Sequence, residues 1–423
     1  MCATLRAPAD LPRDARGFEA FLAAGDFALA VVLHAFKCGD ALDALARARA
    51  NKTSDVRTVL VLGGTDVNVD ARENPARAAT LARRARAADA VVAFSPSMVA
   101  AAPRGALPPA TTTTVPQGVR LPLREPRDAL RAETPSRGSS RATTKSDAAV
   151  AEKRRTLHDA LGVRPATPVF LLPAGLRPVK DVLWAADAAE ETARRVASRS
   201  ETSRPSPAFV LAVVGPTLDG AYASLVARKA RDCSVAKGGA GAFVAGAPVP
   251  RGVALEYMRA AVGVLNTSLS EGQSGALLEA AAAGTPLLAR DIPGNRALLG
   301  ALAEAAEEAA EEAPNGPNER GDDGEEAPLA RFPRLFACAR PCGFLFAEPE
   351  TLAEAMASFA EDSERGSAMR HAAGRAAARA RRGAEALARR EREGWRDVAA
   401  RLLAREKAGF FRFSRRRVES GRP

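Results

Sequence analysis

Two glutamates separated by seven residues, Glu271 and Glu279, stand in the stretch NTSLSEGQSGALLEAAAAGTPLLARDIPGN, residues 266–295. The preceding VGVLN has the form of a buried strand. A helix is expected over 273–283, with capping-box spacing from Ser270 to Gln273 and a stop at Gly284 and Pro286. This spacing sets Glu271 and Gly272 at a helix N-terminus, where unpaired N–H groups and the helix dipole favour anionic or hydroxyl-rich ligands. Glu279 follows two turns into the helix, facing the same cleft edge. One carboxylate can hold the hydroxyls of a sugar while the other holds those of a ribose.

A second group is Gly175-Leu176-Arg177-Pro178-Val179-Lys180, directly after the apolar run VFLLPA. Arginine offers a planar donor fork and lysine a point charge. Together they suit a diphosphate leaving group whose negative charge must be stabilised as a bond to it breaks. Gly215-Pro216, at the end of another apolar run, is a weaker signal because such turns are common in α/β proteins. In the first quarter of the chain His34 follows FALAVVL, and VLVLGGTD ends in the turn Gly63-Gly64-Thr65-Asp66. Gly64, Thr65 and Asp66 are read equally as contacts to a second substrate or as plain turn residues. The triplet Asp66-x-Asn68-x-Asp70 resembles the start of a calcium loop. Ala71 and Arg77 then occupy the places of the turn glycine and the bidentate glutamate, so no metal site is expected.

The elements that must position these residues are legible as alternation. Apolar runs at 27–35, 56–62 and 90–94 alternate with helical stretches at 40–50 and 75–87, the form of a parallel sheet covered on both faces. A second alternation begins at PVFLLPAG and continues through AFVLAVVGP, GAFVAGA, VGVLNTS and PLLAR, with helices between them. It predicts a second doubly wound domain. The expected organisation is α/β: a short Rossmann-like domain over 1–118, a basic disordered linker at 119–165, a second Rossmann-like domain over 166–348, and C-terminal helices with a basic tail over 349–423. An acidic low-complexity insertion is expected at 302–330, an exposed helix dissolving into a disordered loop.

Composition removes several classes. No run approaches the eighteen or so apolar residues of a membrane span, and no signal-peptide core can be drawn in the charged first thirty residues, which implies a cytoplasmic address. Five scattered cysteines, an odd number, form neither a disulfide framework nor a zinc site. The formal charge of +11 invites nucleic acid, but acids are interleaved with most of the arginines, and two Tyr and two Trp are too few for base stacking. No nucleic-acid partner is expected.

SEGQSGALLEA resembles the E-x7-E signature of the retaining glycosyltransferases of family 4, also called group 1, and GLRPVKD looks like that family's diphosphate-binding Arg and Lys. GGTDVNVD, VPQGV and LARDIPGN follow the same family in the same order. The resemblance implies a GT-B fold, two Rossmann-like domains facing a cleft, and transfer from a nucleotide sugar, a UDP-sugar, to an acceptor hydroxyl with no cofactor. It places Glu271 on the donor sugar, Glu279 on the ribose, Arg177 and Lys180 on the diphosphate, and the backbone of Gly272, Gln273 and Ser274 around the sugar. Gly215 joins this donor side, and His34 stands where the family often has a histidine beside the anomeric carbon. Family members begin with a strand, a glycine-containing loop and a helix for which no counterpart is evident before Phe27. A shortened acceptor-side domain is therefore expected, and with it the alternative of a non-catalytic sugar-nucleotide-binding protein.

Overall fold

The computed structural model describes residues 15–25, 27–121, 157–164, 166–199, 208–233, 241–312, 342–361 and 363–418. Of the stretch 119–165 expected as a disordered basic linker, 122–156 lie outside the described residues, but Leu157–Leu161 form a helix whose Leu157 is buried in the core of the second domain, with Val119 and Leu121 packed against that core. Most of the acidic insertion also lies outside the described residues. The first sheet contains β1 (Leu29–Leu33), β2 (Arg57–Val61), β3 (Ala90–Ala93) and β4 (Thr112–Thr114), all parallel and in that order. Its helices are α1 (Ala15–Ala24), α2 (Gly39–Ala50), α3 (Pro75–Ala87) and α4 (Pro96–Ala101). α3 starts where its sequence requires: Asn74 Oδ1 accepts from Ala76 N at 2.9 Å, and Pro75 occupies the first turn, where its missing donor costs nothing.

The second sheet comprises β5 (Val169–Pro173), β6 (Phe209–Val214), β7 (Gly241–Gly246), β8 (Gly263–Asn266), β9 (Leu287–Arg290) and β10 (Phe344–Phe346). Its spatial order is β10-β9-β8-β5-β6-β7, with every pairing parallel. Around it lie α5 (Leu157–Leu161), α6 (Val182–Arg199), α7 (Gly220–Asp232), α8 (Arg251–Ala260), α9 (Gly275–Ala283), α10 (Pro293–Glu312) and α11 (Pro349–Ala360). The apolar runs are wholly apolar for a geometric reason. Val169, Leu171, Val210 and Ala212 point into one core, while Phe170, Leu172, Phe209 and Leu211 point into another on the opposite face. Each fully buried Val, Leu or Phe among them contributes about 1.5–3 kcal/mol of transfer free energy.

Five elements differ from the sequence expectation. β10 adds a sixth strand to the second sheet and β4 a fourth to the first, while α1 buries Phe18 and Leu22 ahead of β1. The helix expected from Gln273 begins two residues later, because Ser274 rather than Ser270 is the cap: its Oγ accepts from Leu277 N at 3.4 Å. The acidic stretch from 302, expected as an exposed helix dissolving into a loop, is helical as far as Glu312, and the difference is that one side of it is packed. Leu302, Ala305 and Ala306 are buried, Glu304, Glu307 and Glu308 face outward, and Glu308 pairs with Arg390.

A last helix, α12 (Glu364–Val418), binds the two domains together. A Cβ on Gly383 would fall 2.1 Å from the Leu302 carbonyl oxygen, so α12 crosses α10 at backbone contact. Further on, Ala388 meets Gly118, and a Cβ on Gly394 would fall 2.9 Å from Val115. Val398 and Leu402 then cover Val59, Val61, Ala90 and Val92 on the first sheet. Gly374 of the same helix has no neighbour within 4 Å of a built Cβ. Two substitutions of identical chemistry should therefore act oppositely. Gly374→Ala is expected to raise stability by about 0.5–1 kcal/mol through helix propensity, and Gly383→Ala to lower it by about 1–3 kcal/mol through overpacking. Denaturant midpoints measure both, and a gain at Gly383 would show that the crossing is looser than described.

Candidate functional site

The strand order of the second sheet reverses between β5 and β8, and the loops leaving those neighbouring strands diverge to opposite sides. A crevice at the carboxyl ends of the strands is the consequence. The loop after β5 carries Arg177 and Lys180, and the loop after β8 carries Glu271. Lys180 Nζ lies 2.5 Å from Glu271 Oε1. That oxygen also accepts from Ser268 Oγ at 2.7 Å and from Asn266 Nδ2 at 3.2 Å. One carboxylate oxygen thus takes three donors, two of them, Asn266 and Ser268, not singled out in the sequence although both stand in the quoted NTS.

The β5 loop is held from both ends. Leu176 N donates to Pro216 O at 2.8 Å, and Thr267 Oγ1 donates to Lys180 O at 2.9 Å. Asp181, in the left-handed region at φ 43°, closes the turn, and its carboxylate takes Arg290 Nη1 at 2.6 Å, with the Arg290 guanidinium over the Trp184 ring. Within this loop Arg177 Nε is buried without a hydrogen-bond partner. A charged group left so is costly unless an anion completes it.

Across the crevice stands the first domain. His34, at the end of β1, adopts φ 72°, uncommon for a residue with a side chain. Its own ring sustains the turn: Nδ1 accepts from Phe36 N at 3.2 Å and Lys37 N at 3.3 Å. Nδ1 is thus the unprotonated nitrogen, and Nε2 donates to Thr65 Oγ1 at 2.8 Å. Asp66 is completely buried, its carboxylate accepting from Ala35 N at 3.1 Å and Gly63 N at 3.0 Å. Asp66 therefore ties the β1 and β2 loops together and has no surface for a substrate. Of its two sequence readings, the turn prevails.

The two halves touch at the site itself. A Cβ on Gly64, at φ 92°, would fall 2.6 Å from Gly272 Cα. Asn68 Nδ2 donates to Glu271 O at 3.2 Å, and Gln273 Oε1 accepts from Gln117 N at 3.3 Å. His34, Thr65, Gly64, Gly272, Glu271, Lys180 and Arg177 form one continuous lining. Gln273 and Ser274 adjoin it, Ser274 through Asn266 Nδ2 at 3.0 Å. Gly215 and Glu279 do not join the Glu271 cluster. Gly215 allows close packing on Ala174, since its Cβ would fall 2.1 Å from that carbonyl oxygen, and Glu279 pairs with Arg251 of α8 at 2.6 Å.

No protein-family model matches the sequence. A stretch of 131 residues is 30% identical to Glycosyltransferase 1 domain-containing protein 1 of Xenopus tropicalis, covering 31% of this chain and 33% of that protein. In structure the chain is similar to Anabaena HepE in complex with UDP, with a TM-score of 0.55 and 16% identity over 90% of this chain and 82% of that one. It is similar also to the UDP-forming trehalose-phosphate synthase of Burkholderia vietnamiensis, with a TM-score of 0.56 and 14% identity over 92% and 77%. The sucrose-phosphate synthase of Thermosynechococcus elongatus gives a TM-score of 0.55 and 14% identity over 95% and 79%. The fold is GT-B. The sequence match spans a third of its curated relative, while the structural likeness runs through both GT-B domains.

Burial holds the His34 imidazole below its ordinary value of 6.5; Asp66 opposes this, and the Lys37 and Arg77 cations add to it. A histidine that resists protonation when folded makes the unfolded chain the better proton acceptor, so this contribution is lost as pH falls through about 6.5. Asparagine tolerates the left-handed backbone. Thermal melts at about pH 7.5 and about pH 5.5 should show a smaller acid loss in His34→Asn than in the wild type. An identical loss in both would remove His34 as a neutral buried imidazole.

Proposed function

We propose that this chain is a retaining glycosyltransferase that moves a sugar from a UDP-sugar to an acceptor hydroxyl. The observation that carries the reading is the charge arrangement at the reversal of the second sheet, where Lys180 meets Glu271 and the buried Arg177 Nε lacks a partner. A nucleoside diphosphate supplies the anion that this donor set requires. The structural neighbours support the choice of nucleotide: HepE is described with UDP-glucose and with UDP and glucose, and the trehalose-phosphate synthase is UDP-forming.

In this reading Arg177 and Lys180 neutralise the diphosphate as the anomeric C–O bond breaks and its electron pair passes to the β-phosphate oxygen. With three N–H donors, Lys180 has the capacity to hold a phosphate oxygen and Glu271 together. Glu271 accepts from hydroxyls of the transferred sugar, beside the backbone of Gly272, Gln273 and Ser274. The acceptor enters between Gly64-Thr65 and His34, and its hydroxyl oxygen bonds to the anomeric carbon on the face the diphosphate leaves. The hydroxyl proton goes to the departing phosphate, which accounts for a crevice whose one central carboxylate is already committed to three donors. Glu279 takes the ribose hydroxyls from α9, with Arg251 holding it from the other side. No cofactor beyond the donor is called on.

Calorimetry with UDP separates these roles. Arg177→Ala and Lys180→Ala should each weaken UDP by about 1.5–3 kcal/mol, the scale of a hydrogen bond to a charged group. Glu279→Gln should weaken it too. Glu271→Gln should leave UDP binding intact or tighter, because UDP lacks the sugar and Lys180 is freed, while sugar transfer falls. Wild-type UDP affinity in both the Arg177 and Lys180 variants would overturn the assignment, and weakened UDP binding in the Glu271 variant would overturn its role as the sugar contact.

A further inference from the structure

The stretch GGTDVNVD, residues 63–70, carries polar residues at alternate positions, Asp66, Asn68 and Asp70, and the proposed chemistry uses none of the three. In the structure Asp66–Asp70 form a single wide helical turn in which Asp66 and Val67 are wholly buried. Asp66 takes Ala35 N at 3.1 Å and Gly63 N at 3.0 Å, and Asp70 pairs with Arg77 of α3. The turn is thus built into the first domain on both sides. Asn68 is the residue that reaches out of it. Its backbone N donates to Gly64 O at 2.8 Å, and its Nδ2 donates across the crevice to Glu271 O at 3.2 Å.

That carbonyl is walled in on another side as well: a Cβ on Gly294, at the start of α10, would fall 2.1 Å from Glu271 O. The Glu271–Gly272 peptide is trans and planar, so a fixed carbonyl also fixes the Gly272 N–H on the opposite side. Gly272 has no Cβ to restrict this peptide by itself. Gly272 Cα in turn meets Gly64, and Gln273 Oε1 accepts from Gln117 N, in the segment leaving β4, at 3.3 Å. Glu271, Gly272 and Gln273, the three residues in sequence that the proposed function sets around the donor sugar, are therefore each touched from the side of the first domain. The loop set on the diphosphate is held differently. Leu176 N bonds to Pro216 O, Thr267 Oγ1 to Lys180 O and Lys180 Nζ to Glu271 Oε1, all within the second domain.

We propose that Asn68 is a positioning residue for the donor sugar. From the first domain it sets the Glu271–Gly272 peptide, so the sugar pocket is complete only while the two domains are together, whereas the diphosphate site belongs to the second domain alone. The inference rests on the proposed transfer from a nucleotide sugar. It adds that recognition of the sugar and recognition of the nucleotide are separable at one side chain outside the donor-binding domain.

Calorimetry of the full chain with UDP, UDP-glucose and UDP-N-acetylglucosamine tests it. Asn68→Ala should weaken the UDP-sugar that the wild type prefers by about three- to tenfold, the scale of one neutral hydrogen bond, and leave UDP within about twofold. Asn68→Asp keeps the shape, loses the donor and sets a carboxylate against a carbonyl oxygen, so it should weaken the UDP-sugar at least as much. A side chain that merely fills space predicts the reverse order, with aspartate tolerated. A second readout needs no ligand: backbone amide exchange over 271–273 should quicken in Asn68→Asp while that over 176–181 keeps its rate. Equal loss of UDP and UDP-sugar affinity, aspartate tolerated better than alanine, or unchanged exchange over 271–273 would each overturn the role of Asn68. A wild type without affinity for any of the three nucleotides overturns the proposed transfer instead, and exchange over 271–273 then decides Asn68 alone.

Discussion

A parallel sheet wound outward in both directions from one strand cannot cover the carboxyl ends of its two central strands with a crossover. In the second domain those strands are β5 and β8. Everything chemical in the molecule follows from that gap. The β5 loop and the β8 loop lie side by side, so a lysine and an arginine from one are brought to a glutamate from the other although some ninety residues separate Lys180 from Glu271 in the chain. Gly215 is small because β6 must let the β5 loop pair at this point, with Leu176 N bonding to Pro216 O and no room for a side chain against Ala174.

Gathering charge in a crevice imposes a second requirement, which is compensation. Glu271 is largely buried, and the donors that replace its water are Lys180, Ser268 and Asn266, which all reach one of its oxygens. On the opposite wall the same requirement is met differently. Asp66 is compensated by backbone N–H groups alone, which fixes the two loops and leaves His34 neutral and directed at Thr65. The wall contributed by the second domain is thus cationic around Arg177 and Lys180 and suited to an anion, while the wall contributed by the first meets Gly272 through Gly64 and carries carboxylates beside His34, Asp66 and Asp70 each 4.0 Å from its ring.

The strands of the second sheet were legible because burial on both faces makes them wholly apolar, and the loops after them because Arg177, Lys180 and Glu271 are not residues that strand termini need for folding. β4 and β10 were not, since three threonines and a three-residue FLF carry no period. The start of α9 was misplaced by two residues because Ser270 and Ser274 are both competent caps and only the fold decides between them. The acidic stretch past 302 was legible as a helix but not as a packed one: glutamates fill its outward positions while its alanines are inward, and alanine is too small to mark a buried face by hydropathy alone. The partners of Glu271 and Glu279 were illegible on principle. Asn266, Ser268 and Arg251 acquire their roles from the packing of β8, α8 and α9, which local sequence does not encode.

α12 completes the chain of dependence, because two domains facing a crevice need a fixed relation if the crevice is to keep its shape. The helix supplies it by meeting the second domain at Gly383, the connecting segment at Gly118 and the first domain at Gly394. At the middle of these contacts Glu391 accepts a hydrogen bond from the Gly118 backbone, and burial raises its carboxyl above the ordinary value, with Arg120 and Arg392 opposing the rise. A carboxyl raised on folding favours the unfolded chain once pH exceeds its ordinary value, so the contact detracts from stability at neutral pH. What the contact supplies is therefore orientation rather than stability: it ties the connecting segment to the helix at Gly118, where Ala388 already meets that glycine at backbone distance.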